Sequence, residues 1–461
     1  MSANRRQFFR RAMLGSLAAS ATRLLAQSAP PREPASAGAF LPVVTPDVPH
    51  LPYTMDGGIK VFNLIAQPVR TELVQGRAMN AWGYNGSSPG PTIEVIQGDR
   101  VRIIVDNHLP EPTSMHWHGF EIPIAMDGMP GISQPMIPPG GRFVYEFTLH
   151  QAGTFFYHSH APMQNMMGML GLFIMHPKEP FSPRVDKDYG LVLQEWAILP
   201  NNTVPNTMSM EFNWLTMNGK AAPATTPLIA RLGDRVRIRL VNIGMDHHPI
   251  HLHGNTFYVT GTEAGRVPEA AWTPTNTVLV GVAQARDIEF QANNPGDWML
   301  HCHMPHHMMN QMASMVGPMM EPGHGMPHAM PAGMGMAEGM GMMQQVGALD
   351  AENGPSLGRS IGIGADYEKP TTNAALDDSV RAATRAAPTR GGDERQSASD
   401  PWQVPGYPQD MMMNMAAPNS RPETYGLPPG WSGDLSGMMT LVRVLEPDLY
   451  DQVMARVQKQ S

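Results

Sequence analysis

Short apolar or alternating runs, each closed by turn residues, pattern this chain from about residue 50 to residue 320. Ile93-Glu94-Val95-Ile96, Val101 to Val105 and Arg142 to Leu149 are such runs, and Pro138-Pro139-Gly140-Gly141 forms a turn ahead of the last one. Leu191 to Trp196, Val236 to Val241, Phe257 to Thr260 and Asp287 to Gln291 continue the series. A period of two puts alternate side chains on one face, so each run predicts a short strand. No long amphipathic helix interrupts them. The exception lies near the C-terminus, where Leu441, Val444, Leu445, Leu449, Val453 and Val457 would share one face of a helix drawn over 435–457. That segment is predicted to be a short helix packed back on the body.

The pattern occurs twice. Gly98-Asp99-Arg100-Val101-Arg102-Ile103 returns as Gly233-Asp234-Arg235-Val236-Arg237-Ile238. Each glycine precedes a pair of histidines by the same spacing, His116 and His118 in one copy, His251 and His253 in the other. Gly153-Thr154-Phe155-Phe156-Tyr157 leads into His158 as Gly296-Asp297-Trp298-Met299-Leu300 leads into His301. A duplicated β-unit explains this better than coincidence. The fold class is therefore all-β, with two Greek-key β-sandwiches over residues 45–180 and 185–322.

Composition narrows the partners. The net charge is −8, and no basic run lies in the body of the chain, which argues against nucleic acid and anionic membranes. A single cysteine rules out an intrachain disulfide. The 45 Gly and 45 Pro fit short strands and many turns, whereas 39 Met need another reason. Residues 323–461 read as a largely disordered Met/Gly/Pro-rich tail apart from the terminal helix. Its Met- and His-rich run from Met319 to Met343 cannot build a core, and soft thioethers select Cu(I), so it reads as a copper-collecting segment. Residues 1–28 resemble a twin-arginine signal, with Arg5-Arg6 ahead of a modest apolar stretch too short to span a membrane. That resemblance implies export to a bacterial periplasm.

The chemistry sits in four His-x-His pairs: His116-Trp117-His118, His158-Ser159-His160, His251-Leu252-His253 and His301-Cys302-His303. On a strand, residues i and i+2 point the same way, so each pair offers two imidazoles side by side and turns the middle residue to the other face. Eight imidazoles suit a metal cluster. Cys302 would face away from that cluster while staying a few bonds from it.

His-Trp-His-Gly, Tyr-His-Ser-His, His-Pro-Ile-His-Leu-His-Gly and His-Cys-His-x-x-x-His-x-x-x-x-Met together resemble the multicopper oxidases, over roughly residues 50 to 320. The resemblance implies cupredoxin-like domains and four coppers per functional unit. His248, Cys302 and His307 would hold a type 1 copper, with Met312 as axial ligand; two imidazoles, a thiolate and a weak thioether are the donor set of a blue-copper centre. His116 and His251 would hold the type 2 copper. His118, His158, His160, His253, His301 and His303 would hold the type 3 pair. Electrons would pass from Cys302 through His301 and His303 to the cluster, where O₂ is reduced to water. Asp127 matches the family's carboxylate near the type 2 copper. A glutamate often precedes the second type 1 histidine; His306 stands there instead. His306, His247 and His176 are not expected to be ligands.

Ser159 stands where a second cysteine would sit, so only domain 2 is expected to carry a type 1 copper. The spacing from His160 to His248 leaves no room for a middle domain. The resemblance is therefore to the two-domain, small-laccase branch, in which neighbouring chains share the cluster and a homotrimer closes the ring. Expected substrates are O₂ together with a phenol or Cu(I), while Fe(II) and Mn(II) stay open. The alternatives are a copper-sequestering protein of copper resistance, which needs no wired thiolate, and a copper nitrite reductase, disfavoured by Ser159.

Overall fold

The strands of the first copy form in the order Tyr53–Asp56 (β1), Ile59–Val74 (β2), Arg77–Tyr84 (β3), Gly90–Ile96 (β4), Arg100–Asn107 (β5), His116–His118 (β6), Arg142–Thr148 (β7), Gly153–His158 (β8) and Leu170–His176 (β9). They make one sheet ordered β1-β2-β5-β7, with β3 on β2, and a second ordered β4-β9-β8-β6. Phe62, Leu64, Val101, Ile103, Tyr145, Trp117 and Phe173 fill the space between them, all completely buried. The computed structural model describes residues 40–161, 163–198, 202–308, 421–428, 431–432 and 435–460. The signal-peptide reading of residues 1–28 and the Met-rich run 319–343 lie outside them.

The second copy supplies Lys187–Trp196 (β10), Trp214–Met217 (β11), Leu228–Arg231 (β12), Arg235–Asn242 (β13), His248–Leu252 (β14), Phe257–Thr262 (β15), Gly265–Arg266 (β16), Pro274–Thr275 (β17), Thr277–Val280 (β18), Gln284–Gln291 (β19) and Gly296–Cys302 (β20). Its sheets run β11-β10-β13-β19-β15-β16, with β17 on β15, and β12-β21-β20-β14-β18, where β21 is Met439–Leu445. Two cupredoxin-like β-sandwiches result, as the sequence predicted. All the predicted strands form, while β2 is longer than any of them.

The duplication is visible in single hydrogen bonds. Asp99 accepts the Ile96 N–H at 2.7 Å and Asp234 accepts the Arg231 N–H at 2.9 Å, each after the same turn. The glycines before them, Gly98 and Gly233, hold φ of 96° and 92°, where a side chain is strained. Asn107 Nδ2 donates to the Glu111 and Ile137 carbonyls, as Asn242 Nδ2 does to those of Asp246 and Val280.

One expectation fails. Residues 435–457 are not a helix throughout: Met439–Leu445 is the strand β21, parallel to β12 and antiparallel to β20, and only Pro447–Gln460 (α1) is helical. All seven residues of β21 are buried, so both faces are covered and the run has no period of two to betray it. The domain boundary at 322 shifts accordingly, because the last strand of domain 2 comes from what read as tail. Helix α1 starts on Pro447, where a missing N–H costs nothing, and packs Tyr450 and Val453 against Ile229 and Leu445.

Candidate copper centre

Strands β6 and β8 pair His116 with His158; β14 and β20 pair His251 with His301. Trp117, Leu252 and Cys302 turn to the opposite faces and are completely buried. Each sheet thus presents a set of four imidazoles on one side and a sealed core on the other, as the alternation of a strand requires.

On the core side of domain 2, His248 Nδ1 and His307 Nδ1 lie 3.1 Å apart, and Cys302 Sγ lies 3.3 Å from His307 Nδ1 and 3.8 Å from His248 Nδ1. Two nitrogens each about 2.0–2.1 Å from one tetrahedral metal lie roughly 3.3 Å apart, so this spacing fits a shared metal. The outer nitrogens are held too. His248 Nε2 meets the Glu195 carboxylate at 3.2 Å, and His307 Nε2 meets Asp246 at 3.5 Å. Burial, with Asp246 and Glu195 nearby, pushes the Cys302 thiol up to about 12. A metal must therefore enforce the thiolate.

In domain 1, His116 Nδ1 donates to the Asp127 carbonyl at 2.7 Å and His158 Nδ1 to the Ser159 carbonyl at 2.8 Å, which leaves each Nε2 without a proton and able to ligate. His118 Nδ1 lies 3.4 Å from His158 Nε2, and His116, His118 and His158 form one group able to share a metal. Domain 2 repeats the arrangement. His251 Nδ1 donates to the Asn276 carbonyl, His301 Nδ1 to that of Cys302, and His253 Nε2 lies 3.0 Å from His301 Nε2. Burial and the neighbouring imidazoles bring His118 down to about 4 and His158 to about 3, which keeps both neutral and ready to ligate at pH 7. Asp127 Oδ1 lies 3.5 Å from His116 Nδ1.

No ring contact, hydrogen bond or shared metal group joins the domain 1 imidazoles to those of domain 2 among the described residues, and His160 and His303 are exposed. In domain 1, Thr113, Ser159 and Gln164 stand at the offsets of His248, Cys302 and His307. Gln164 Oε1 accepts from Thr113 Oγ1 at 2.7 Å and from Ser159 Oγ at 2.6 Å, so hydrogen bonds close that cage. Met312 lies outside the described residues. His176 pairs with Glu94 at 2.7 Å, and His306 and His247 are exposed and belong to neither group of prospective ligands. The sequence reading missed Glu195 and Asp246; a charged residue inside the apolar run Leu191 to Trp196 was the available signal.

Patterns of the multicopper oxidase family match residues 66–180 and 198–318. The chain is 33% identical to a blue copper oxidase from Nitrosomonas europaea, whose crystal structure it covers to 81% with 54% of its own length and a TM-score of 0.51. The chain belongs to the multicopper oxidases. It is also similar to the multicopper oxidase mgLAC, at 30% identity, with 55% of this chain covering 82% of that one and a TM-score of 0.52. Copper resistance protein A of Pseudomonas syringae pv. tomato is 41% identical over 27% of this chain and 20% of its own length. Multicopper oxidase MmcO of Mycobacterium tuberculosis is 29% identical over 62% of each. The chain thus spans from a fifth to under two thirds of these two curated relatives.

Proposed function

We propose that this protein couples one-electron oxidation of a small reductant in domain 2 to four-electron reduction of O₂ to water at a trinuclear centre shared between chains. The observation that carries the reading is the buried triangle of His248, Cys302 and His307. Copper bound at these positions supplies one-electron transfer at the first site and O₂ reduction at the second. The residues do the rest. Glu195 and Asp246 orient the two imidazoles from outside. Cys302 lies between His301 and His303 in sequence, so adjacent peptide bonds join the two ligand sets. Asp127 places a carboxylate beside His116 and partly open to solvent, where it can pass protons from water toward the cluster.

The exposed His160 and His303, and the separation of the two histidine sets, favour a cluster completed by a neighbouring chain. The reading is a homotrimer in which His116, His118, His158 and His160 of one chain face His251, His253, His301 and His303 of the next. Phenols and Cu(I) are the proposed reductants. Met245 is exposed and adjacent to Asp246, which meets His307, so a soft thioether and a carboxylate flank the entry to that histidine. Sequestration without turnover has no need of the Cys302 wiring, and the hydrogen-bonded cage in domain 1 speaks against a nitrite reductase. Periplasmic action follows from the twin-arginine reading. No helix among the described residues is long and apolar enough to cross a membrane.

Complementation tests the shared cluster. His160→Ala and His303→Ala chains, each inactive in O₂ uptake alone, should regain part of the wild-type rate when co-expressed, because mixed trimers contain one interface with both sets intact. Chromatography with light scattering should give three times the chain mass. Mixed trimers without any recovered uptake would refute sharing.

A further inference from the structure

We propose that the axial ligand of the type 1 copper is Met438, immediately ahead of strand β21 and well over a hundred residues after His307 in sequence, and not Met312 as the motif spacing suggests. The proposal rests on the copper-oxidase reading. It comes from the internal duplication. In domain 1, the Ser159 N–H donates to the Met169 carbonyl at 3.0 Å and the Met169 N–H donates to the Gln164 carbonyl at 3.2 Å. In domain 2, the Cys302 N–H donates to the Met438 carbonyl at 3.0 Å and the Met438 N–H donates to the His307 carbonyl at 2.8 Å. Ser159 corresponds to Cys302 and Gln164 to His307, so Met438 holds the place of Met169.

The neighbours agree. Gly168 and Gly437, immediately before the two methionines, hold φ of 104° and 67°. β9 follows Met169 and lies between β4 and β8; β21 follows Met438 and lies between β12 and β20, with the same parallel and antiparallel pairings. Met169 and Met438 are both completely buried, and Met438 belongs to the same core cluster as Cys302. In domain 1 the chain runs straight from Gln164 to Met169. In domain 2 the corresponding stretch is interrupted after Met308, and Ser436 Oγ donates to the Met308 carbonyl, so the two ends of the interruption meet. Met312 has the right spacing from His307 but belongs in sequence to the interrupting stretch after Met308, outside the described residues. Met438 is the methionine whose backbone bonds to both Cys302 and His307 and whose side chain shares the buried core with Cys302.

The test uses the full-length, copper-loaded protein carrying Met438→Leu, Met438→Gln or Met312→Leu, read by the visible and EPR spectra of the type 1 copper and by redox titration of its blue band. Leu conserves volume but removes the donor; Gln keeps the length and supplies a harder oxygen. Met438→Leu should shift the one-electron equilibrium at least tenfold toward the reduced form, about 59 mV. Met438→Gln should shift it the other way and alter the spectrum, opposite signs that a packing role would not produce. Met312→Leu should leave both readouts at wild-type values. The proposal falls if Met312→Leu moves the potential and the Met438 variants do not, or if none of the three moves it. A wild-type protein that takes up copper with no blue band would overturn the oxidase reading itself.

Discussion

Glu195 is completely buried in β10, and its only ion-pair partner among the described residues is His248. It accepts the Asp246 N–H at 3.0 Å and the Met245 N–H, and a Cβ on Gly244 would strike its carboxylate. Burying a carboxylate is costly unless a charge answers it. The metal expected between His248, Cys302 and His307 is that charge. Replacing Glu195 with Gln keeps the shape and removes the negative charge, so reduction of the copper becomes easier. The potential of the blue band should rise by the equivalent of about 1.5–3 kcal/mol, the range for hydrogen bonds to charged groups. A redox titration showing an unchanged or lower potential would rule this role out. Thr113, Ser159 and Gln164 show the reverse case: neutral groups satisfied by one another, which leave no demand for a cation.

Strand β21 decides what can be removed from this protein. It lies between β12 and β20, so a chain ending at 322 would lose the strand that pairs with the Cys302-bearing strand along Gly296–His301. Arg443 in its middle is completely buried and donates to Asp297 at 2.6 Å and to the Tyr425 carbonyl at 2.9 Å, which ties residues 421–428 to the sheet as well. An internal deletion of 313–420 keeps both the strand and its brace. Truncation at 322 should abolish the blue band, and the internal deletion should retain it. If the Met-rich run collects copper, the internal deletion lowers O₂ uptake with Cu(I) and spares uptake with a methoxyphenol. Equal rates with both substrates, before and after the deletion, would make the run a spacer.

Across the whole molecule, the two sandwiches are joined by an apolar layer and a buried ionic network. Phe156, Leu170, Leu172 and Ile174 of domain 1 pack on Val192, Val241, Ile243 and Ala285 of domain 2. Beside that layer, Arg239 donates to both oxygens of Asp188, at 2.8 and 2.9 Å, and to Thr154 of domain 1 at 2.7 Å, while Thr154 donates to Asp287 at 2.6 Å. Removing one partner of a buried pair strands the other charge, so Asp188→Asn should cost about 3–5 kcal/mol. Denaturant unfolding of the metal-free protein measures this, and a loss below about 1 kcal/mol, the scale of an exposed ion pair, would show that the network is not holding the domains. In the proposed assembly, this junction would turn each chain's two histidine sets toward different neighbours, so that the cluster would need more than one chain.

The geometry of His116-Trp117-His118 and His301-Cys302-His303 is legible in the order of their residues, because strand alternation is local and obliges the middle residue to face away from its neighbours. The repeated Gly-Asp-Arg turns make the duplication legible for the same reason. Nothing local distinguishes Met439–Leu445 from half of an amphipathic helix: a short run buried on both faces has no period of its own, and only the empty place between β12 and β20 makes it a strand. Glu195 and Asp246 likewise take on their role only where β10 and the loop ahead of His248 come together. The sequence alone determined that each His-x-His pair would turn both imidazoles to one face of its strand and the middle residue to the other. The tertiary structure decided which of them meet and what charge surrounds them, because burial and contact belong to the packed whole.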